Sequence, residues 1–330
     1  MKTLHNIGGL HSDCAIYQYI RKEGSHSLIV QMPKILISGL INFETTLKID
    51  KFPVDYFPVA YPFGGVNSSV SGVGFNVAKA LKTLGANVTF LSIVGADNVS
   101  RLIEAEIEKC GLESGFIVKS ISKTPQSVII YDDTGKRQIH VDLKDIQQAV
   151  YPIALFNEAA CGADILALCN INFSRPMLEE GVKTGRIIAC DVHALRPDGC
   201  AGYDADFIRH SDILFFSDEN IGGGLEDFIR HLAQLYSNKI IAAGMGSKGA
   251  LLYVKKDGRF RHYPALNLRP VVNTTGAGDS LFSAFIYYYA ETRDPYFAME
   301  RACVFASWKV GANGGAEGFL SAAEMKKFNN

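Results

Sequence analysis

The stretch "VVNTTGAGDSLFSAF", Val271 to Phe285, sets two threonines, two glycines and one carboxylate directly ahead of an apolar run. Small residues leaving a loop, followed by the helical letters of Ser280 to Ala290, predict a helix whose first turn presents unpaired backbone N–H groups. The aligned peptide dipoles add partial positive charge, so the place suits a phosphate or a developing oxyanion. A carboxylate would normally be repelled from a bound phosphate. Asp279 makes sense there as a base that takes the proton of a hydroxyl attacking phosphorus. Taken alone, the same letters also fit a plain turn with a helix cap.

The 330 residues are 48% hydrophobic, enough for a large α/β core. Lysine plus arginine (33) nearly balances aspartate plus glutamate (34), so the chain carries no broad basic footprint for nucleic acid or anionic lipid. No run approaches the roughly 18 apolar residues of a membrane span, and no secretory signal pattern opens the sequence. Seven cysteines, at 14, 110, 161, 169, 190, 200 and 303, show neither CxxC nor Cys/His ligand spacing. They read as reduced thiols of a cytoplasmic protein. Because "MPKILISGL" from Met32 looks like the start of a first strand, residues 1–31 read as an N-terminal extension, in which "CAIYQYIRK" allows a short docked helix.

From Met32 onward, short β-branched apolar runs alternate with stretches of helical period, the pattern of parallel strands linked by helices. The expected strands are Ile35–Ser38, Val88–Val94, Ile165–Cys169, Ile187–Val192, Ile213–Phe216, Ile240–Ala243 and Ala250–Val254. Between them, Phe75–Leu84 puts Val77, Ala80, Leu81 and Leu84 on one helical face, and "SRLIEAEIEKCG" is a second helix stopped by Gly111. Two segments, 46–70 and 116–142, alternate polar and apolar residues instead, the second with a hairpin turn at Asp132–Gly135. They predict a small β-sheet projecting from the main one. Neither the GxxxxGK[ST] loop nor a GxGxxG after the first strand is present, which disfavours P-loop proteins and nicotinamide-dependent oxidoreductases.

Four segments together resemble the ribokinase-like (PfkB) carbohydrate kinase family. "NTTGAGD" is similar to its DTxGAGD signature, and "SGVGFNVAKALKTLGA" (Ser71–Ala86) to its GGxGxNxAxxxxxLG segment. "GMGSKGALLY" from Gly244 resembles the strand-turn-strand beside the nucleotide, and "ISGLINFETTL" carries the G-x-x-N-x-D spacing at Gly39, Asn42 and Glu44. The resemblance implies a three-layer α/β/α sandwich with a mostly parallel sheet and a β-sheet lid, in a kinase domain spanning 32–330 with lid segments near 46–70 and 116–142. It implies an ATP-dependent enzyme that phosphorylates an alcohol, usually the primary hydroxyl of a sugar or nucleoside. Asp279 is then the general base, and the amides of Gly276, Ala277 and Gly278 form the anion hole. Substrate contacts fall to Asn42, Glu44, Gly72, Asn76 and Asn172, and ATP to Gly246, Lys248, Gly249 and Asn313, with loop Gly311–Phe319 closing over the base. Mg²⁺ bridges the phosphates, and a monovalent cation such as K⁺ is expected at Asn273 and Thr275. Many relatives pair through the lid, so a homodimer is expected.

The departures from the family pattern bear on substrate and metal. Glu44 stands where Asp is usual, reaching about 1.5 Å further by one methylene. Ser71 replaces the first glycine of a pair, "SDEN" (Ser217–Asn220) stands where NxxE is common, and Asn273 replaces the first Asp of the signature. A binding or sensing module that kept the fold but lost efficient transfer is the alternative they raise; an intact Asp279 argues against it. His193, after a buried strand, is expected to be a hydrogen-bonded structural residue, and Tyr287–Tyr289 to pack in their helix.

Overall fold

The computed structural model of the protein describes residues 32–195 and 202–328. The expected N-terminal extension and its docked helix lie outside the described residues. In chain order the strands begin with β1 (Lys34–Ser38), β2 (Asn42–Lys48), β3 (Val66–Ser71), β4 (Asn87–Gly95), β5 (Ile117–Ile121), β6 (Gln126–Tyr131) and β7 (Arg137–Asp142). They continue with β8 (Ile165–Leu168), β9 (Ile187–Ala194), β10 (Ile213–Ser217), β11 (Ile240–Gly244), β12 (Ala250–Val254) and β13 (Arg259–Tyr263). The longer helices are α1 (Val73–Leu84), α2 (Asn98–Lys109), α3 (Ile153–Ala160), α4 (Pro176–Lys183), α5 (Ala205–His210), α6 (Leu225–Leu235), α7 (Ala277–Thr292) and α8 (Pro295–Lys309).

Nine strands form one sheet in the order β13-β12-β11-β10-β9-β8-β1-β4-β5. All neighbours from β11 to β5 run parallel, and β12 and β13 extend the sheet antiparallel at one edge. The expected seven strands are all present. A parallel sheet of this kind is buried on both faces, and the side-chain alternation shows it. Ile35 and Ile37 of β1 pack with α1, α2, α7 and α8, whereas Leu36 between them packs with α3, α4, α5 and α6. This is the three-layer sandwich that the alternating runs predict. The tyrosines Tyr287 and Tyr288 are buried in the first of these layers, as helix packing requires.

Two strands escape the sequence reading for physical reasons. The run "RFRHY" of β13 carries two arginines and a histidine, as an edge strand with a free margin permits. β5 belongs to the large sheet, where Ile117 pairs with Ser92 of β4, and not to the small one. The small sheet is β3-β2-β6-β7 and begins at Asn42, which brings Asn42 and Glu44 into it. Residues 49–65 carry no strand. Pro53, Pro58 and Pro62 deny that stretch three ladder donors. The β6–β7 hairpin closes where expected, with Gly135 N donating to the Asp132 carbonyl at 3.1 Å and Thr134 N to Asp132 Oδ1 at 2.9 Å.

One backbone contact fixes where α1 starts. A Cβ on Gly74 would lie 2.4 Å from the carbonyl carbon of Gly39, and one on Gly39 would lie 2.6 Å from Cys169 Sγ. The first turn of α1 therefore rests directly on the chain leaving β1, and the position of Asn76 follows from it.

Candidate active site

Asp279 occupies the first turn of α7 and is 8% exposed. Its Oδ2 accepts a 2.7 Å hydrogen bond from Asn76 Nδ2 of α1, and Asn76 Oδ1 in turn accepts from Ser71 Oγ of β3 at 3.3 Å. Glycines let these elements meet by backbone alone. Gly276, the N-cap of α7, has φ +77° and would place a Cβ 2.4 Å from the Gly315 carbonyl oxygen; a Cβ on Gly315 would lie 3.0 Å from Ser71 Oγ. Gly278 is exposed, and a Cβ there would meet nothing within 4 Å. Residues in the first turn of a helix have no carbonyl one turn back to accept their N–H groups. Of the three amides expected in the anion hole, that of Ala277 donates to the Thr274 carbonyl at 3.2 Å, so it closes the turn.

Burial raises the pKa of Asp279 and the nearby Asp191 adds to it, while the Asn76 hydrogen bond, His193 and Lys309 pull the other way. Glu44 behaves similarly. Burial pushes its pKa up and the Asp279 charge adds to this, opposed by hydrogen bonding from Ser71 and the Gly315 backbone and by Lys309. The Asp279 and Glu44 carboxylates and the Lys309 ammonium are thus buried together. Lys309, the last residue of α8, is fully buried; desolvation lowers its pKa to about 8 even though Asp279, Glu44 and Glu317 favour its charged form.

Asn42, Glu44 and Thr46 alternate on one buried face of β2, and the strand register puts Ser127 of β6 and Arg137 of β7 on that same face. A buried polar face is costly unless it has partners. Asn42 Nδ2 donates to Ser127 Oγ at 3.0 Å, but Asn42 Oδ1, Glu44 Oε1 and Thr275 Oγ1 are buried with no partner. Two of these can only accept, and hydroxyl groups are the natural donors for them. From β7, Arg137 Nη1 donates to Thr274 Oγ1 at 2.6 Å and ties the small sheet to the loop before Asp279.

Other expected residues lie elsewhere. Gly72 has φ +104° and starts α1 beside this cluster. Asn172 is half-buried, and its Nδ2 donates to the Gln147 carbonyl at 3.0 Å, an engagement that does not bring it to Asp279; Asn170 likewise donates to Asp204. Gly246 and Lys248 are exposed at the turn between β11 and β12, and Gly249 (φ +97°) fits so tightly that a Cβ would lie 2.0 Å from the Tyr263 carbonyl oxygen. Asp218 and Glu219 form a single turn after β10, with Glu219 exposed. His193 is exposed, not a packed structural residue; its backbone, at φ +57°, closes a local turn in which its N–H donates to Asp191 Oδ1 at 2.9 Å. Asn273 Oδ1 accepts from Thr275 N at 2.8 Å and its Nδ2 donates to the carbonyl of exposed Asn313 at 2.6 Å. Lys309 and Arg137 escape sequence reading. A lone lysine ending a helix ordinarily reads as a solvated C-terminal charge, and nothing local distinguishes Lys309 from one.

A doubly wound sheet places a buried carboxylate at a glycine-opened helix start. Residues 32–322 match the pfkB family carbohydrate kinase description, and the chain belongs to that family. The chain is 33% identical over 268 residues to a deoxyribokinase of Salmonella typhi, covering 78% of this chain and 86% of that one. It is 25% identical over 295 residues to an ATP-dependent ribose-1-phosphate kinase of Halopiger xanaduensis, covering 88% and 95%. Among solved structures, a microbiome-derived acarbose kinase superposes with TM-score 0.81 at 22% identity, covering 90% of this chain and 99% of the other. The protein is a carbohydrate or nucleoside kinase of ribokinase-like fold. No helix among the described residues is long and apolar enough to cross a membrane.

Proposed function

We propose that the protein transfers the γ-phosphoryl group of ATP to the primary hydroxyl of a sugar or nucleoside, with Asp279 as general base. The observation that carries this is the buried Asp279 carboxylate, oriented by Asn76 at the glycine-opened start of α7. Asn76 occupies Oδ2, leaving Oδ1 to accept the hydroxyl proton. As the substrate oxygen bonds to phosphorus, the bond from the γ-phosphorus to the bridging oxygen breaks and ADP departs. The amides of Gly276 and Gly278, with the helix dipole, face the charge that builds on the transferred group. ATP would extend toward Gly246, Lys248, Gly249 and Asn313. Mg²⁺ would be held by the nucleotide's phosphates with few direct protein ligands. The polar face of the small sheet acts as the lid over the sugar, with Asn42 Oδ1 and Glu44 Oε1 accepting from its hydroxyls.

The test is ADP release against a panel of sugars, sugar acids and nucleosides with ATP and Mg²⁺. If no compound turns over while one raises the unfolding midpoint of both the wild type and Asp279→Asn, the protein is a sensing module instead. For the substrate found, Glu44→Ala is expected to raise the sugar KM by about 10- to 100-fold, the worth of a charged hydrogen bond, and to leave the ATP KM unchanged. Equal effects on both KM values would place Glu44 outside the sugar site.

The small sheet also supports a homodimer. Val66 and Val128 expose apolar surface on the face turned away from Glu44, and the adjoining loop displays Tyr56 and Phe63 at 88% and 94% exposure. So much apolar surface in one region marks an interaction site. Light scattering is expected to give about twice the 36.0 kDa chain mass; a single-chain mass at micromolar protein counts against the dimer.

A further inference from the structure

We infer that the Lys309 ammonium is a built-in cation that holds the Thr274–Asp279 loop, so that this chain needs no monovalent metal ion there. The family resemblance leads one to expect K⁺ among the oxygens near Asn273 and Thr275, and the residues present do not fit it. The Thr275 carbonyl accepts a hydrogen bond from Lys309 Nζ, which is fully buried. The Asn313 carbonyl accepts from Asn273 Nδ2 at 2.6 Å. On the same side, the Trp308 and Lys309 carbonyls accept from Arg269, whose guanidinium stacks 4.6 Å from the Trp308 ring centroid. Protein N–H donors therefore already engage the Thr275 and Asn313 carbonyl oxygens on which a K⁺ ion would draw, and Thr275 Oγ1 is a buried oxygen there left without a partner.

The charges agree with this. Asn273 is neutral where the resembling signature carries a carboxylate, so this position adds no negative charge to draw in a free cation. The positive charge is supplied by a side chain of α8 that faces Asp279, Glu44 and Glu317. Burying an unpaired ammonium would be prohibitive, and these partners explain how Lys309 is tolerated. A tethered cation also has no translational entropy to lose on binding, so the loop stays organised at any salt composition.

The inference rests on the kinase reading for what the loop does, but its test separates the two. The unfolding midpoint and the ADP-forming turnover of the full chain are compared in K⁺ and in tetramethylammonium at equal ionic strength. Neither is expected to change. A saturable, K⁺-specific rise in either overturns the inference, and the melting comparison decides it even if no substrate turns over. The double substitution Lys309→Met, Asn273→Asp removes the ammonium and restores a carboxylate. It is expected to gain a K⁺-specific rise in unfolding midpoint of about 2 °C or more, as ion binding to the native state requires. A folded double variant indifferent to K⁺ also overturns the inference; if it does not fold, the wild-type comparison stands.

Discussion

Asp279→Asn is expected to lower kcat by about 10²- to 10⁴-fold while the protein stays folded and still binds its sugar. The amide matches the carboxylate in volume and keeps a carbonyl oxygen for Asn76 Nδ2, but it has no capacity to take the hydroxyl proton. Its effect on stability runs the other way. Burial raises the Asp279 pKa above the ordinary 3.8, so the native state retains a proton that the unfolded chain has already released. The contribution of this group to stability therefore declines as pH rises from 3.8 through the raised value. At neutral pH the asparagine variant should melt no lower than the wild type. The same shift gives the wild type an acidic limb in kcat/KM above the ordinary aspartate range, and the limb should vanish in the variant. Turnover within tenfold of wild type would move the base elsewhere, to Asp191 as a buried carboxylate whose charge acts on Asp279.

Gly276→Ala is expected to reduce turnover by about 10²-fold and to lower the unfolding midpoint as well. The residue sits at φ +77°, where an L side chain costs roughly 1 kcal/mol or more, and the new Cβ would meet the Gly315 carbonyl oxygen at 2.4 Å. Both contacting groups are backbone, so relief requires moving either the start of α7 or the loop after α8. A displacement of about 1 Å at a reacting centre suffices for a loss of that size. Gly278→Ala is the informative control. With nothing within 4 Å of its Cβ, it should melt like the wild type and lose activity only by filling the space for the transferred group. Melting curves and steady-state kinetics of the pair distinguish a loop that has moved from a pocket that has been filled.

The large sheet was legible because each of its central strands is apolar on both faces and bounded by helical period, a pattern with few alternative readings. β13 was hidden because its edge position permits arginines, and β5 because its half-polar letters read like those of the small sheet. At the site, Asp279 and Asn76 were legible as local signals, each one belonging to a helix start. Their mutual hydrogen bond, across 203 positions of chain, was not. Lys309 was illegible for a related reason: what makes it unusual is complete burial with its ammonium on the Thr275 carbonyl, within the electrostatic reach of carboxylates from β2 and α7, a property of the assembled fold. Asn172 shows the converse, since a strand-end amide has its Nδ2 engaged by the Gln147 carbonyl, a partner that no local signal announces.

The backbone contact between Gly39 and Gly74 carries a genetic consequence. Damage from an enlarged side chain can usually be repaired by shrinking its neighbour, which is how second-site suppressors arise in packed cores. Here each residue is already the smallest available, and the Gly39 atoms that a Cβ on Gly74 would meet are main-chain atoms that no substitution alters. A Gly74→Ala lesion should therefore yield no intragenic revertant at position 39, and selection for recovered growth should return the original codon. Sequence drift has no route through this point of the molecule, while the proline-rich stretch 49–65 is under no such constraint.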